Sequence, residues 1–159
     1  MDNIKRAYEP SITSETEDSE VPIGGNDGAA ISQNLQILLV EDDDADAYLI
    51  RRALAANPRV GTIVRARDGV EALDLIDNCG LRPDLAILDL QMPRKNGFSL
   101  LVELEDRVTV DFPSVVFTSS KSGADSLRSR KRGATMFVTK PKRLEKLAEA
   151  LDNVLAAAA

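Results

Sequence analysis

From Leu35 onward, short apolar runs alternate with segments whose apolar residues recur every three or four positions. QILLV (36–40) is apolar without interruption and bounded by acids, which predicts a buried central strand. DADAYLIRRALAAN (44–57) sets Ala47, Ile50 and Leu54 at helical spacing, with Arg51 and Arg52 on another side and Pro58 behind as a stop. TIVRAR (62–67) alternates, as a more exposed strand does, and GVEALDLIDNCG (69–80) repeats Val70, Leu73 and Ile76 before Gly80 closes a second helix. DLAILDL (84–90) and GFSLLVELED (97–106) follow as the third strand and helix, and SVVFTSS (114–120) and GADSLRSRKRGA (123–134) as the fourth. TMFVTK (135–140) and a helix from Leu144 to about Leu155 complete the series. Alternating strands and amphipathic helices predict an α/β fold, a doubly wound, five-stranded parallel sheet covered by helices on both faces.

The stretch before Leu35 breaks this pattern. YEPSITSETEDSEVPIGGNDGAAISQN is rich in Ser, Thr, Glu, Gly and Pro, has no apolar period, and cannot bury enough surface to offset its ordering entropy. Residues 1–34 are therefore expected to be a disordered acidic arm, and 35–157 the folded domain. The arm carries −5 of the formal net charge of −6, so the body is nearly neutral. No apolar run approaches the length of a membrane span and no signal segment opens the chain, so a soluble cytoplasmic protein is expected. Histidine is absent, which excludes imidazole metal sites, Ser-His triads and a phosphohistidine. The single cysteine, Cys79, excludes an intramolecular disulfide and is expected to be a small buried thiol.

Candidate chemistry collects at the strand ends. In an open parallel sheet, ligands bind outside the carboxyl ends of the strands, where the winding reverses. Glu41 and Asp42 follow the first strand directly and Asp89 ends the third, so neighbouring strands bring three carboxylates together. Such a cluster repels itself unless a cation resolves it, and Mg2+, or Mn2+, suits an all-oxygen donor set. Of the run EDDDAD, Asp43, Asp44 and Asp46 are expected to cap the following helix, leaving Glu41 and Asp42 as ligand candidates. Thr118 and Lys140 close the fourth and fifth strands, adding a hydroxyl and an ammonium to the same rim. The set suits phosphoryl chemistry: Asp89 as nucleophile, a metal and Lys140 neutralising phosphoryl oxygens, Thr118 donating to one of them.

The blocks LLVEDD, LDLQMPRKNG, FTSS and FVTKP resemble, in order and spacing, the signatures of the receiver domain of two-component response regulators. The resemblance runs from about Leu35 to Ala157 and implies a flavodoxin-like (βα)5 fold. It implies that Asp89 accepts a phosphoryl group from a histidine kinase or phosphotransfer protein. Glu41, Asp42, Asp89 and the backbone carbonyl of Gln91 match the metal ligands, Thr118 and Lys140 the phosphate-binding pair, and Phe137 the aromatic switch residue working with Thr118. The Lys140–Pro141 bond would be cis. Phe137 stands where tyrosine is frequent, so a switch there rests on burial of the ring, and Gln91 and Ser120 occupy positions that commonly tune the phosphoryl lifetime.

On this resemblance the protein is expected to be a phospho-acceptor switch and not an enzyme acting on outside substrates. Only 19 residues follow Lys140, so a stand-alone receiver is expected. It would signal through the face of the fourth helix, fifth strand and fifth helix, to a protein partner or as a homodimer, or else act by draining phosphoryl groups from a kinase. The fourth helix has few apolar anchors, Ala124, Leu127 and Ala134, and is expected to be the most mobile. Its cluster Arg128, Arg130, Lys131 and Arg132 lacks interleaved aromatics and reads as a solvated or protein-docking face, on which the acidic arm could fold back, more than as a nucleic-acid site. No nucleic-acid or membrane partner is expected, and the terminal LAAAA should fray. A metal-dependent phosphohydrolase with an aspartyl nucleophile shares these residues but would need a pocket for its substrate. A flavin or nucleotide module on the same fold would need a glycine-rich first loop, and no glycine lies between Val40 and Asn57.

Overall fold

The computed structural model describes residues 34–107 and 109–158. The expected arm, apart from its last residue, lies outside them.

Strands β1 (Leu35–Val40), β2 (Val60–Ala66), β3 (Leu85–Leu88), β4 (Ser114–Thr118) and β5 (Met136–Thr139) form one parallel sheet in the order β2-β1-β3-β4-β5. Helices α1 (Asp44–Ala55), α2 (Gly69–Asp77), α3 (Gly97–Glu105), α4 (Gly123–Lys131) and α5 (Leu144–Ala158) connect and flank them. The order reverses between β1 and β3, so the site expected there sits at the switch point of a doubly wound sheet.

Alternation along the strands divides the core into two layers. Leu38, Val40, Ala86, Leu88 and Val116 face α2 and α3, packing with Leu73, Ile76, Leu100, Leu101 and Leu104. Ile37, Leu39, Ile87, Val115 and Phe117 face α1 and α5, packing with Ile50, Leu54, Leu147, Leu151 and Val154. The central strands are buried on both sides, which is why β1, β3 and β4 read as unbroken apolar runs while the edge strand β2 alternates.

Helix starts follow local chemistry. The Asp43, Asp68, Asn96 and Ser122 side chains each accept a hydrogen bond from the backbone N–H three residues on, capping α1, α2, α3 and α4. Of the three acids expected to cap α1, Asp43 alone does so. Gly80 takes φ +68° just beyond α2, the left-handed conformation that ends helices.

Three expectations need correction. Cys79 is exposed, because α2 ends at Asp77 and the chain turns outward before reaching it. In α4, Ala124 and Leu127 are also exposed, with 57% of Leu127 accessible, and the buried side chain of this helix is Ser129. A sequence without a clear apolar face does not say which face packs. Finally, no peptide bond among the described residues is cis, so Lys140–Pro141 is trans, the isomer an X-Pro bond favours by about 0.5–1 kcal/mol.

Candidate functional site

The parallel register between β1 and β3 pairs Val40 with Leu88, so the next residues, Glu41 and Asp89, leave the sheet side by side. The backbone holds them there: Asp89 N–H donates to the Val40 carbonyl (3.0 Å) and Glu41 N–H to the Ala66 carbonyl (3.0 Å). Carboxylate oxygens of Glu41, Asp42 and Asp89 lie within 4.8 Å of one another. Glu41 is 1% and Asp89 8% exposed, so two of these charges sit largely out of water. Hard oxygen donors converging on one point are a donor set that fits a divalent cation such as Mg2+.

The positive charge that the acids require is partly supplied by the chain. Lys140 Nζ donates to Glu41 Oε2 at 2.6 Å, Asp46 Oδ2 at 3.0 Å and Asp89 Oδ2 at 3.2 Å, which uses its three donors. Its position follows from β5 pairing with β4: Thr118 is in register with Thr139, and Lys140 N–H donates to the Thr118 carbonyl at 2.7 Å. Asp46, expected to be a cap, instead turns its carboxylate to Lys140, and Asp44 pairs with Arg65 (2.7 Å) and Arg67 (3.3 Å).

Burial dominates the electrostatics of Glu41. It raises the carboxyl from 4.5 to about 7 against the lowering effect of Lys140, and the nearby charge of Asp89 adds to the rise. Burial also works against the Lys140 ammonium, but the hydrogen bond and charge of Glu41, then Asp89 and Asp46, outweigh it and hold its pKa well above the ordinary lysine range. The ammonium keeps its proton, and a proton taken up near neutrality goes to Glu41.

This has a measurable consequence. Below pH about 4.5, Glu41 is protonated both folded and unfolded and contributes nothing to pH dependence. Between about 4.5 and 7 the unfolded chain releases the proton while the folded chain keeps it, so stability falls as pH rises. The full loss, reached above pH 7, is roughly 3 kcal/mol at about 1.4 kcal/mol per unit. In metal-free protein, urea unfolding from pH 5 to 8 is expected to show this decline in wild type relative to Glu41→Gln. Parallel pH profiles for the two proteins would contradict it.

The loop after β3 is tightly set. A Cβ on Gly97 would lie 2.4 Å from the Asp89 carbonyl oxygen and 2.9 Å from Leu90 Cα, so only glycine lets α3 start this close to the acid. Gly97 N–H donates to the Leu90 carbonyl (3.2 Å) and Gln91 N–H to Asp89 Oδ1 (3.4 Å). Arg94, at φ 58°, bonds the buried Asp68 carboxylate at 2.6 Å, tying this loop to the start of α2. Burial alone would raise the Asp68 carboxyl, but Arg94 and the Glu71 N–H hold it below its usual range.

Thr118 is fully buried, and Ser120 N–H reaches its Oγ1 at 3.4 Å. Ser120 Oγ donates to Asp125 Oδ2 at 2.6 Å, linking the β4 loop to α4. Phe137 is half-buried and pairs in register with Val116. The two-residue strand period therefore puts it on the same sheet face as Thr118. Arg128, one of the basic residues of α4, sits with its guanidinium 4.0 Å from the centre of the Phe98 ring.

Sequence reasoning missed Asp46, Arg65 and the Asp68–Arg94 pair as parts of the surroundings of Asp89. Arg65 donates from Nε to the Glu41 carbonyl (3.0 Å) and from Nη2 to the Asp42 carbonyl (3.2 Å). The alternating pattern of β2 marks Arg65 as a strand residue, but nothing local points it at a loop 23 or 24 positions upstream.

Comparison with known proteins bears on this geometry. The response regulator receiver domain family matches residues 37–152. A response regulator named MprA from Mycobacterium sp. (strain KMS) is 38% identical over 113 residues, which are 71% of this chain and 47% of that protein. The chain thus spans about half the length of this curated relative. Among solved structures, the phosphorylated cyanobacterial phytochrome response regulator RcpA is 32% identical with a TM-score of 0.71, covering 76% of this chain and 91% of its own. The Mn2+-bound form of the response regulator Rcp1 is 28% identical with a TM-score of 0.71, covering 77% and 92%. Among the described residues no helix is long and apolar enough to cross a membrane.

Proposed function

The chain belongs to the response regulator receiver domain family, and on that premise we propose that Asp89 is its phosphoryl acceptor, served by a divalent cation at Glu41, Asp42 and Asp89. The observation that carries the reading is one of geometry. Asp89 is the carboxylate shared by two neighbourhoods, the oxygen cluster within 4.8 Å and the Lys140 ammonium at 3.2 Å. An acid with a cation site on one side and a fixed ammonium on the other can approach a phosphoryl group without accumulating negative charge.

In the proposed step an Asp89 carboxylate oxygen attacks phosphorus on a donor, the phosphohistidine of a histidine kinase or phosphotransfer protein. A new O–P bond forms, the N–P bond breaks, and the released imidazole takes up a proton as needed. Bound Mg2+, or Mn2+, would neutralise phosphoryl oxygens and orient them; Glu41, Asp42, Asp89 and the Gln91 carbonyl would hold it. Lys140 would exchange its Asp89 contact for a phosphoryl oxygen while keeping Glu41 and Asp46. Thr118, whose Oγ1 among the described residues receives only the long Ser120 contact, would donate its hydroxyl to another phosphoryl oxygen.

The acyl phosphate formed at Asp89, with about two negative charges and three acceptor oxygens in place of a single carboxylate charge, would then draw Thr118 inward and give Phe137, on the same sheet face, room to turn in. The surface altered would be that of α4, β5 and α5, read by a protein partner or a second copy. Support comes from α4 itself, which buries a single side chain, Ser129, whose Oγ has no hydrogen-bond partner among the described residues. An element held this thinly can shift at low cost.

The test is incubation of the wild-type protein with a small phosphodonor, with Mg2+ or with chelator, followed by intact mass. One added phosphoryl group, stable in acid, labile in base and dependent on the cation, is the expected outcome. An unchanged mass with Mg2+ present would defeat the reading. Steady release of phosphate from a small-molecule donor, without labelled protein, would point to the phosphohydrolase alternative.

A further inference from the structure

We propose that Arg65 is a positioning residue for the cation site, clamping the loop that carries Glu41 and Asp42 from behind; this rests on the reading just given. Consecutive residues of an extended strand point to opposite sides. For Glu41 and Asp42 both to bring carboxylates to Asp89, the backbone must leave the extended path directly after Val40. There the carbonyls of Glu41 and Asp42 are both taken by one guanidinium, Nε on Glu41 at 3.0 Å and Nη2 on Asp42 at 3.2 Å. The remaining face of the same group, Nη1, bonds Asp44 Oδ1 at 2.7 Å, at the first turn of α1.

The Arg65 side chain is 15% exposed, whereas that of Asp44 is 73% exposed. The carbonyl contacts are thus sheltered from water, and the Asp44 contact is at the surface, where an ion pair contributes little. A guanidinium is planar, permanently charged and offers five N–H groups in a fixed fork, so it can hold two carbonyls at a set separation. It also places a positive charge beside a run of acids without taking any of the oxygens that face Asp89. Strand β2 holds the fork in place, since Arg65 is in register with Leu39 of β1, just before the loop.

A purely structural role, pinning α1 to β2 through Asp44, makes a different prediction. Three variants of the full chain separate the two: Arg65→Lys, Arg65→Met and Asp44→Asn. Mg2+ binding is followed by calorimetric titration, and amide exchange of residues 41–43 by hydrogen exchange in chelator, with no metal present. Partners that orient metal ligands are typically worth about 10–100-fold in affinity. Both Arg65 variants are therefore expected to bind Mg2+ at least about tenfold more weakly and to exchange residues 41–43 faster. Asp44→Asn should stay within about threefold of wild type.

Arg65→Lys keeps the charge and much of the stem, so it decides the matter if Arg65→Met folds poorly. Wild-type affinity and wild-type exchange in Arg65→Lys would overturn the clamp. So would a loss in Asp44→Asn as large as in Arg65→Met, which would assign the effect to the surface ion pair. A wild-type chain that binds no Mg2+ would instead remove the cation site, and the clamp with it.

Discussion

Asp89→Asn is expected to keep its unmodified mass when incubated with a small phosphodonor and Mg2+, while wild type gains one phosphoryl group. The substitution preserves shape and polarity but replaces a carboxylate oxygen with an amide whose lone pairs are delocalised and weakly nucleophilic, so loss of labelling should be complete. The fold should survive. Asp89 makes the longest of the three Lys140 contacts, 3.2 Å against 2.6 Å to Glu41 and 3.0 Å to Asp46. The amide oxygen can still accept from Lys140, so stability should change by about 1 kcal/mol or less. Intact mass and a urea melt on the same sample separate loss of the acceptor from loss of the fold. If the Asp89→Asn protein still gained a base-labile phosphoryl group at the wild-type rate, the acceptor would lie elsewhere, and Asp42 or Glu41 would be tested next.

Why Asp89 could be singled out from sequence, and its supports could not, has a physical explanation. The strands were legible because burial on both faces demands unbroken apolar runs, and the five predicted strands match the structure to within two residues at each end. Once the strands are placed, parallel topology alone brings the residues at and just beyond the carboxyl ends of β1, β3, β4 and β5 to one rim, so Glu41, Asp42, Asp89, Thr118 and Lys140 follow from order. Which acid meets which base does not follow, because it depends on side-chain reach across the sequence. Lys140 bonds Asp46 over 94 positions and Arg65 reaches the Glu41 carbonyl over 24. Asp46 was also ambiguous locally, since an acid in the first turn of a helix is favourable whether or not it has a partner. Helix α4 was placed, but its anchors were not: its sequence has no apolar period to mark a packing face, and Ser129 is buried where Ala124 and Leu127 are exposed. The acids at the ends of β1 and β3 are legible as groups that require positive charge, and the structure adds that the Lys140 ammonium supplies part of it.

Lys140→Met is expected to have the second large effect, because the ammonium lies among the same acids that would hold the proposed cation. Methionine fills similar volume but leaves Glu41 and Asp89, at 1% and 8% exposure, without their counter-charge. Removing one member of a buried ion pair typically costs about 3–5 kcal/mol, and in chelator the variant should lose stability of that order. Two further readings distinguish an electrostatic loss from a packing defect. Lys140 lowers the Glu41 pKa, so without it that pKa climbs beyond its wild-type value of about 7. A carboxyl whose folded pKa is raised loses stability as pH rises from its unfolded value, so the window of decline, opening near 4.5, should extend to higher pH in the variant than in wild type. On the proposed cation site, Mg2+ should restore more stability to the variant than it adds to wild type, because in wild type the ion would compete with the ammonium for the same carboxylates. A ligand at a hundred times its dissociation constant adds about 2.7 kcal/mol, enough to recover much of the loss. Urea midpoints with and without Mg2+, at two pH values, measure all three effects. A Lys140→Met protein as stable as wild type in chelator, or one that Mg2+ stabilises no more than wild type, would mean that the ammonium does not neutralise the acids at the end of β1 and β3.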